Sequence, residues 1–171
     1  APYVPNRWPD DEDFRQTFSE LYRALDGVAH DVLRACAVFL DEDQEFFEPV
    51  VKGGDTILRL IHYPPAPDAK AGEVRAGAHE DINLITLLTG ATAEGLELLQ
   101  RDGTYKAVVA GHDELLVDTG DMMQHLTNGL LRAVTHRVVL PAGGAKDARF
   151  SMPFFVHPHH AADLTPRPKS I

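Results

Sequence analysis

Val74-Arg75-Ala76-Gly77-Ala78-His79-Glu80-Asp81-Ile82-Asn83-Leu84-Ile85-Thr86-Leu87-Leu88-Thr89 is the stretch that decides the fold. It reads as two β-strands, Val74 to Asp81 and Leu84 to Thr89. Residues two apart on a strand share a face. His79 and Asp81 therefore point the same way and can reach one ion at the strand's end.

Working outward, the chain after residue 55 reads as further short strands. Thr56 to Tyr63 is β-rich and stops at Pro64-Pro65. Leu96 to Gln100 and Tyr105 to Val109 flank Asp102-Gly103, a hairpin signal. Leu115 to Thr119, Arg132 to Leu140 and Ala148 to Val156 complete the set. Gly120 to Gly129 reads as a turn with a short helical piece, and Pro64 to Gly72 as a loop. Many short, evenly spaced strands point to a β-sandwich or jelly-roll barrel. Before them, apolar residues from Phe14 to Leu40 recur at three- and four-residue steps, including Leu25, Val28, Ala29, Leu33, Cys36 and Phe39. They predict one long amphipathic helix, with Asp10 to Asp13 at the end where the helix dipole favours acids. Glu45 to Glu48 reads as a helical turn ending before Pro49. Ala1 to Asp10 reads as an extended entry to the domain, and the tail after Pro158 as a solvated segment.

The 171 residues suffice for one domain with a real core. A formal net charge of -10 argues against a nonspecific nucleic-acid binder, which would carry a basic stripe, but leaves room for a small anionic ligand. No apolar run is long enough to span a bilayer. Cys36 is the single cysteine, so no internal disulfide forms and a cytoplasmic location is the expectation.

Two histidines and a carboxylate are the ligands of a facial iron(II) site with open positions opposite. His79 and Asp81 supply two, and His136, in Thr135-His136-Arg137, is expected to supply the third from across the barrel, with Val134 and Val138 on its face. The zinc-protease pattern H-E-x-x-H is excluded, because Asp81-Ile82-Asn83 follows His79-Glu80. Arg149, Ser151, Pro153 and Phe155 share a face of the last strand. The Arg149 fork and the Ser151 hydroxyl can hold a carboxylate; the competing reading is a structural ion pair. Tyr63, with Arg59 and Ile61 on its face, adds a phenol to the same ligand or packs as a core tyrosine.

Five ordered motifs now stand together: Leu58-Arg59-Leu60-Ile61-His62-Tyr63-Pro64-Pro65, Ala78-His79-Glu80-Asp81 with Ile85-Thr86-Leu87-Leu88, Gly120 to Gly129, Thr135-His136-Arg137-Val138-Val139, and Arg149-Phe150-Ser151-Met152-Pro153-Phe154-Phe155. From about Trp8 to His157 the chain resembles the iron(II)- and 2-oxoglutarate-dependent dioxygenases, in particular their isopenicillin N synthase-like branch. The resemblance implies a mainly β fold, a double-stranded β-helix (jelly-roll) core with the long N-terminal helix packed on it. It implies Fe(II) on His79, Asp81 and His136, and 2-oxoglutarate as cosubstrate with its far carboxylate on Arg149 and Ser151 and a contact from Tyr63. Dioxygen is the oxidant, and Phe155 falls where some relatives place an aromatic against the substrate. The implied reaction couples oxidative decarboxylation of 2-oxoglutarate to oxidation, by default hydroxylation, of a C–H bond in a small molecule, with no nucleic-acid or membrane partner.

The pattern is departed from in three places. Glu80 replaces the usual threonine, Ile61 stands where many plant relatives carry asparagine, and the family's N-terminal segment and C-terminal helical region are expected to be absent from residues 1–171, read as a single catalytic domain. Two other readings remain open: an isopenicillin N synthase-like oxidase that uses no 2-oxoglutarate, and a jelly-roll module that binds a metal or small acid without turnover. Gln124 is a candidate support for the metal ligands, Cys36 a core residue, and Asp121 a turn-former. His62 reads as packing or surface. His157, His159 and His160 form a His-rich patch with little claim to a second metal, and His30 and His112 carry no signal.

Overall fold

The computed structural model describes residues 5–70, 72–111 and 113–167. His112, part of the entry segment, one residue of the Pro64 to Gly72 loop and the last four residues lie outside the described residues. Helix α1 spans Glu12–Phe39, with the Asp11 side chain accepting from the Phe14 N–H and Glu12 and Asp13 in the first turn. Leu25, Ala29, Leu33 and Ala37 form its buried stripe at four-residue spacing. Val28 and Phe39, expected on that stripe, lie off it and are exposed. Cys36 is half-buried against the core, and burial pushes its thiol up. Helix α2, Glu48–Val51, begins around Pro49 rather than ending before it. Proline lacks the N–H that the first helical turn would leave unpaired, so it starts a helix more readily than it ends one.

Ten strands follow, all paired antiparallel: β1 Ile57–Leu58, β2 Ile61–Tyr63, β3 Val74–His79, β4 Ile85–Thr89, β5 Leu96–Leu99, β6 Tyr105–Ala107, β7 Leu115–Thr119, β8 His136–Val139, β9 Arg149–Ser151 and β10 Pro153–Val156. Helix α3, Asp121–Leu126, lies between β7 and β8. One sheet runs β1-β10-β4-β7, another β3-β8-β5-β6, and β2-β9 forms a two-stranded sheet that continues the β1–β10 ribbon. This is the double-stranded β-helix, with one long helix packed on it.

Two expected strands are each broken. Thr56 to Tyr63 divides into β1 and β2 at Arg59-Leu60, and Ala148 to Val156 divides at Met152. The register nevertheless runs on without an inserted residue: Ile57 and Leu58 face Phe155 and Phe154, the Arg59 N–H donates to the Pro153 carbonyl, and Ile61 and Tyr63 face Ser151 and Arg149. The ribbon bends as it passes from one sheet to the next. The strand expected at Arg132 begins only at His136, because side chains satisfy the preceding backbone: Leu131 N–H donates to Thr127 Oγ1 and Ala133 N–H to Gln124 Oε1. At the β5–β6 hairpin Gly103 takes φ +83°, which glycine alone adopts without strain.

The core lies between α1 and the first sheet. Ile85 and Leu87 of β4 and Phe154 and Val156 of β10 pack against the α1 stripe with Met123 and Leu126 of α3. Alternation turns Thr86, Leu88, Pro153 and Phe155 the other way, into a cavity between the sheets. The described segment after Pro158 is largely solvent-exposed, as expected, but it is tethered to the domain. His159 N–H donates to the Val50 carbonyl, Arg167 N–H to the Leu126 carbonyl, and Leu164 packs on the core.

Candidate metal centre

His79 and His136 are direct register partners on β3 and β8. The third ligand candidate thus comes from the adjacent strand, not from across the barrel. Opposed residues on paired strands stand close enough for their side chains to meet, and the two rings lie 4.4 Å apart, centroid to centroid. Strand β3 ends at His79, so Asp81 sits in the following turn and not on the strand. Its carboxylate still reaches the histidines: Oδ1 is 3.8 Å from Nε2 of each.

That turn is held by α3. Asp121 N–H donates to the Asp81 carbonyl at 2.7 Å, Met122 N–H to the Asn83 carbonyl at 3.1 Å, and Gly120 N–H to the Leu84 carbonyl at 3.0 Å. The approach requires glycine at 120, where a Cβ would lie 2.3 Å from Asn83 Oδ1 and 2.6 Å from the Asp81 carbonyl oxygen.

The donor atoms fit a metal. His79 Nδ1 lies 2.7 Å from the Gly77 carbonyl oxygen and His136 Nδ1 3.0 Å from that of Val134. Each Nδ1–H is thereby committed to the backbone, which leaves each Nε2 lone pair facing the centre. Asp81 Oδ2 accepts from Thr86 Oγ1 at 2.6 Å, and Thr86 Oγ1 accepts from Asn83 Nδ2 at 2.8 Å, so Oδ1 is the oxygen left to coordinate. The three ligand atoms lie within 4.8 Å of one another, the one such group of three among the described residues. Two imidazoles and a carboxylate suit iron(II). Asp118, 3.4 Å from His136 Nδ1, raises that imidazole's pKa against the lowering effect of burial. Outside the cluster, Thr135 Oγ1 donates to Glu80 Oε1 at 2.7 Å and ties β8 to the turn, which gives Glu80 a structural use. Asp121, on the same side, has its carboxyl pKa raised by a hydrogen bond with Glu80.

A cavity of about 430 Å3 opens beside these ligands. Arg149, Ser151, Tyr63 and Phe155 all line it, together with the three metal-ligand candidates. Arg149 is 2% exposed. Its Nε donates to the Ala93 carbonyl at 3.0 Å, while Nη1 is buried without an acceptor. Among the described residues it has no carboxylate partner. The structural ion pair that competed for Arg149 is therefore not formed. Burial pushes its pKa down. Tyr63 stands opposite Arg149 on β2, its ring 5.5 Å from the guanidinium carbon.

Gln124 acts on the backbone ahead of β8 rather than on a ligand side chain. His62 is exposed and stacks on Phe150 with ring centroids 4.7 Å apart. Among the described residues, His157, His159 and His160 belong to no metal-ligand group. The sequence reading passed over Thr86, Asn83, Asp118 and Arg75. Thr86 was legible as a hydroxyl on the cavity face of β4; Arg75 was legible as a charged residue at even spacing from His79, shifted by the bulges in β3.

The sequence model of the 2OG-Fe(II) oxygenase superfamily matches residues 54–158. The 2-oxoglutarate-Fe(II) type oxidoreductase hxnY of Emericella nidulans is 34% identical over 171 residues, which span 95% of this chain and 48% of that protein. A 2OG-Fe(II) oxygenase family protein from Caulobacter crescentus superposes with TM-score 0.86 at 41% identity, covering 97% of this chain and 54% of the other. A full-length Neurospora crassa protein, solved in complex with alpha-KG and thymine, superposes with TM-score 0.90 at 30% identity, covering 100% of this chain and 55% of the other. The chain spans about half the length of the curated relatives it matches. With its family model covering most of the chain and its ligand triad inside the jelly roll, the chain belongs to the 2OG-Fe(II) oxygenase superfamily.

Proposed function

We propose that the chain forms one catalytic domain of an Fe(II)- and 2-oxoglutarate-dependent dioxygenase that oxidises a C–H bond of a small molecule, by default to the alcohol. In this reading His79, Asp81 and His136 hold iron. Arg149 and Ser151 hold the far carboxylate of 2-oxoglutarate, Tyr63 borders it, and Phe155 borders the substrate. One observation carries it: a single cavity presents three converging metal donors and a buried guanidinium with no acidic partner among the described residues. A buried cation left unpaired is costly, and an anionic ligand offsets that cost.

Iron(II) held by these residues would supply open coordination positions and a redox path to dioxygen, with two electrons drawn from 2-oxoglutarate and two from the C–H bond. The chain's own contribution is placement. Gly77 and Val134 carbonyls orient the imidazoles, Thr86 turns the Asp81 carboxylate, and apolar walls such as Leu88 and Leu98 restrict water. A cavity of this size accommodates a cosubstrate and a small molecule, and the thymine complex of the Neurospora relative supports a substrate of that class. The acidic charge and the single cysteine support a cytoplasmic enzyme with no nucleic-acid partner. No helix among the described residues is long and apolar enough to cross a membrane.

Anaerobic addition of Fe(II) and then 2-oxoglutarate tests this. The expected result is a visible charge-transfer band that needs both, followed on aeration by succinate formation matched to dioxygen uptake. Iron binding without a band, or dioxygen uptake independent of 2-oxoglutarate, overturns it.

A further inference from the structure

A second guanidinium reaches the Arg149 end of the cavity. Arg75 belongs to β3, in a different sheet from the β2–β9 pair that carries Arg149 and Tyr63. Its guanidinium carbon lies 5.9 Å from the Tyr63 ring centroid, and that of Arg149 lies 5.5 Å from the same ring. Two strands from different sheets thus bring cations to one tyrosine. Arg75 Nη2 donates to the carbonyl of Asp147, two residues before Arg149, at 3.1 Å. Its Nε is buried and finds no acceptor, as does Nη1 of Arg149. Neither arginine has a carboxylate partner among the described residues.

We propose that Arg75 is a second arm of the anion clamp, so that the far carboxylate of the cosubstrate is bound by two guanidiniums, one from each sheet, flanking Tyr63. The proposal rests on the diacid reading given above and adds a residue to it. Two like charges facing one apolar-walled cavity repel each other and both lose hydration. The Arg149 pKa is lowered first by burial and further by Arg75, as that proximity requires. A single carboxylate relieves both effects, and its two oxygens can accept from both forks. Arg75 also pins Asp147, so a purely structural role has to be separated from a binding role.

The separation uses two ligands of equal length, 2-oxoglutarate and 2-oxopentanoate, which ends in a methyl group where the former has its far carboxylate. Affinities are measured by calorimetry on the Mn(II)-loaded full chain without dioxygen. Arg75→Gln, which removes the charge and the Asp147 contact together, is expected to weaken 2-oxoglutarate about tenfold or more and, since both acids meet the same altered cavity, to leave 2-oxopentanoate within about twofold. Arg75→Lys keeps the charge without the fork and is expected to lose less, again only for the diacid. Equal weakening of both acids in either variant, or weakening of neither, overturns the proposal. If the glutamine variant does not fold, the lysine variant alone decides by the same criterion. Failure of the underlying reading looks different: the unaltered chain would then bind both acids equally or bind neither, and both proposals would fall together.

Discussion

Arg149→Met separates the cost of a buried charge from its use. Methionine fills much of the same volume but carries no charge. Without ligand, the substitution removes the Nε hydrogen bond to Ala93, a residue exposed enough for its carbonyl to bond water instead. That loss costs about 1 kcal/mol. Against it stands relief from holding a guanidinium at 2% exposure with Nη1 unpaired, a penalty of several kcal/mol even after relaxation. The ligand-free variant should therefore melt no lower than the parent. Each kcal/mol of net gain would raise Tm by about 2–4 °C for a chain of this size.

With cosubstrate the order reverses. A fork gripping a carboxylate makes two charge-assisted hydrogen bonds, so its loss costs at least about 3 kcal/mol, or roughly 150-fold in Kd. At 100 Kd of 2-oxoglutarate the parent gains about 2.7 kcal/mol, and the variant at that concentration gains about a third of a kcal/mol. Scanning calorimetry on the Mn(II)-loaded protein, with and without 2-oxoglutarate, reads both effects. A ligand-free variant that melts several degrees lower, or one that gains as much from 2-oxoglutarate as the parent, refutes the reasoning.

His79→Ala, Asp81→Ala or His136→Ala should each abolish stoichiometric binding of one Mn(II), read by electron paramagnetic resonance of the free ion; retained binding in any of them would remove that residue from the ligand set. Thr86→Val preserves shape, frees Asp81 Oδ2 and strands Asn83 Nδ2. Metal affinity should fall about 10–100-fold and stability by about 1–3 kcal/mol in urea melts. Gly120→Ala places a methyl 2.3 Å from Asn83 Oδ1 and 2.4 Å from the Asn83 carbonyl oxygen. It should cost about 1–3 kcal/mol through forced backbone shifts, with metal binding weakened at the same time; an unchanged melt would show that the α3 junction yields freely.

The sequence made the strand set and the ligand trio readable because both rest on local spacing. Alternation grouped His79 with Asp81, and Val134 with His136 and Val138, and all five line the cavity. It could not show that β3 stops at His79. What places Asp81 is a set of hydrogen bonds from α3, some forty residues later in the chain. Nor could it show which strands are neighbours, so His136 was assigned to the far side of the barrel when it lies beside His79. Arg149 was legible as an inward cation, but only tertiary structure shows that no described carboxylate meets it. Arg75, at even spacing from His79, was legible as facing the same way, but only tertiary structure shows its guanidinium reaching the Tyr63 ring beside Arg149.

The two faces of β4 and β10 show how such a site can be kept without endangering the fold. Ile85, Leu87, Phe154 and Val156 face α1 and are almost wholly buried, each contributing about 1.5–3 kcal/mol by its removal from water. Their neighbours Thr86, Leu88, Pro153 and Phe155 face the cavity. Because a strand's side chains alternate, one ladder of backbone bonds serves both sets, and a change on one face leaves the packing of the other in place. The stabilising contacts lie on the helix side, while the uncompensated charges lie on the cavity side. Phe155, on the cavity face, can therefore be changed at little cost to folding. Thr86 cannot, since its hydroxyl orients the Asp81 carboxylate. The α1–sheet contact supplies the stability that lets Arg149 remain buried with no carboxylate partner among the described residues.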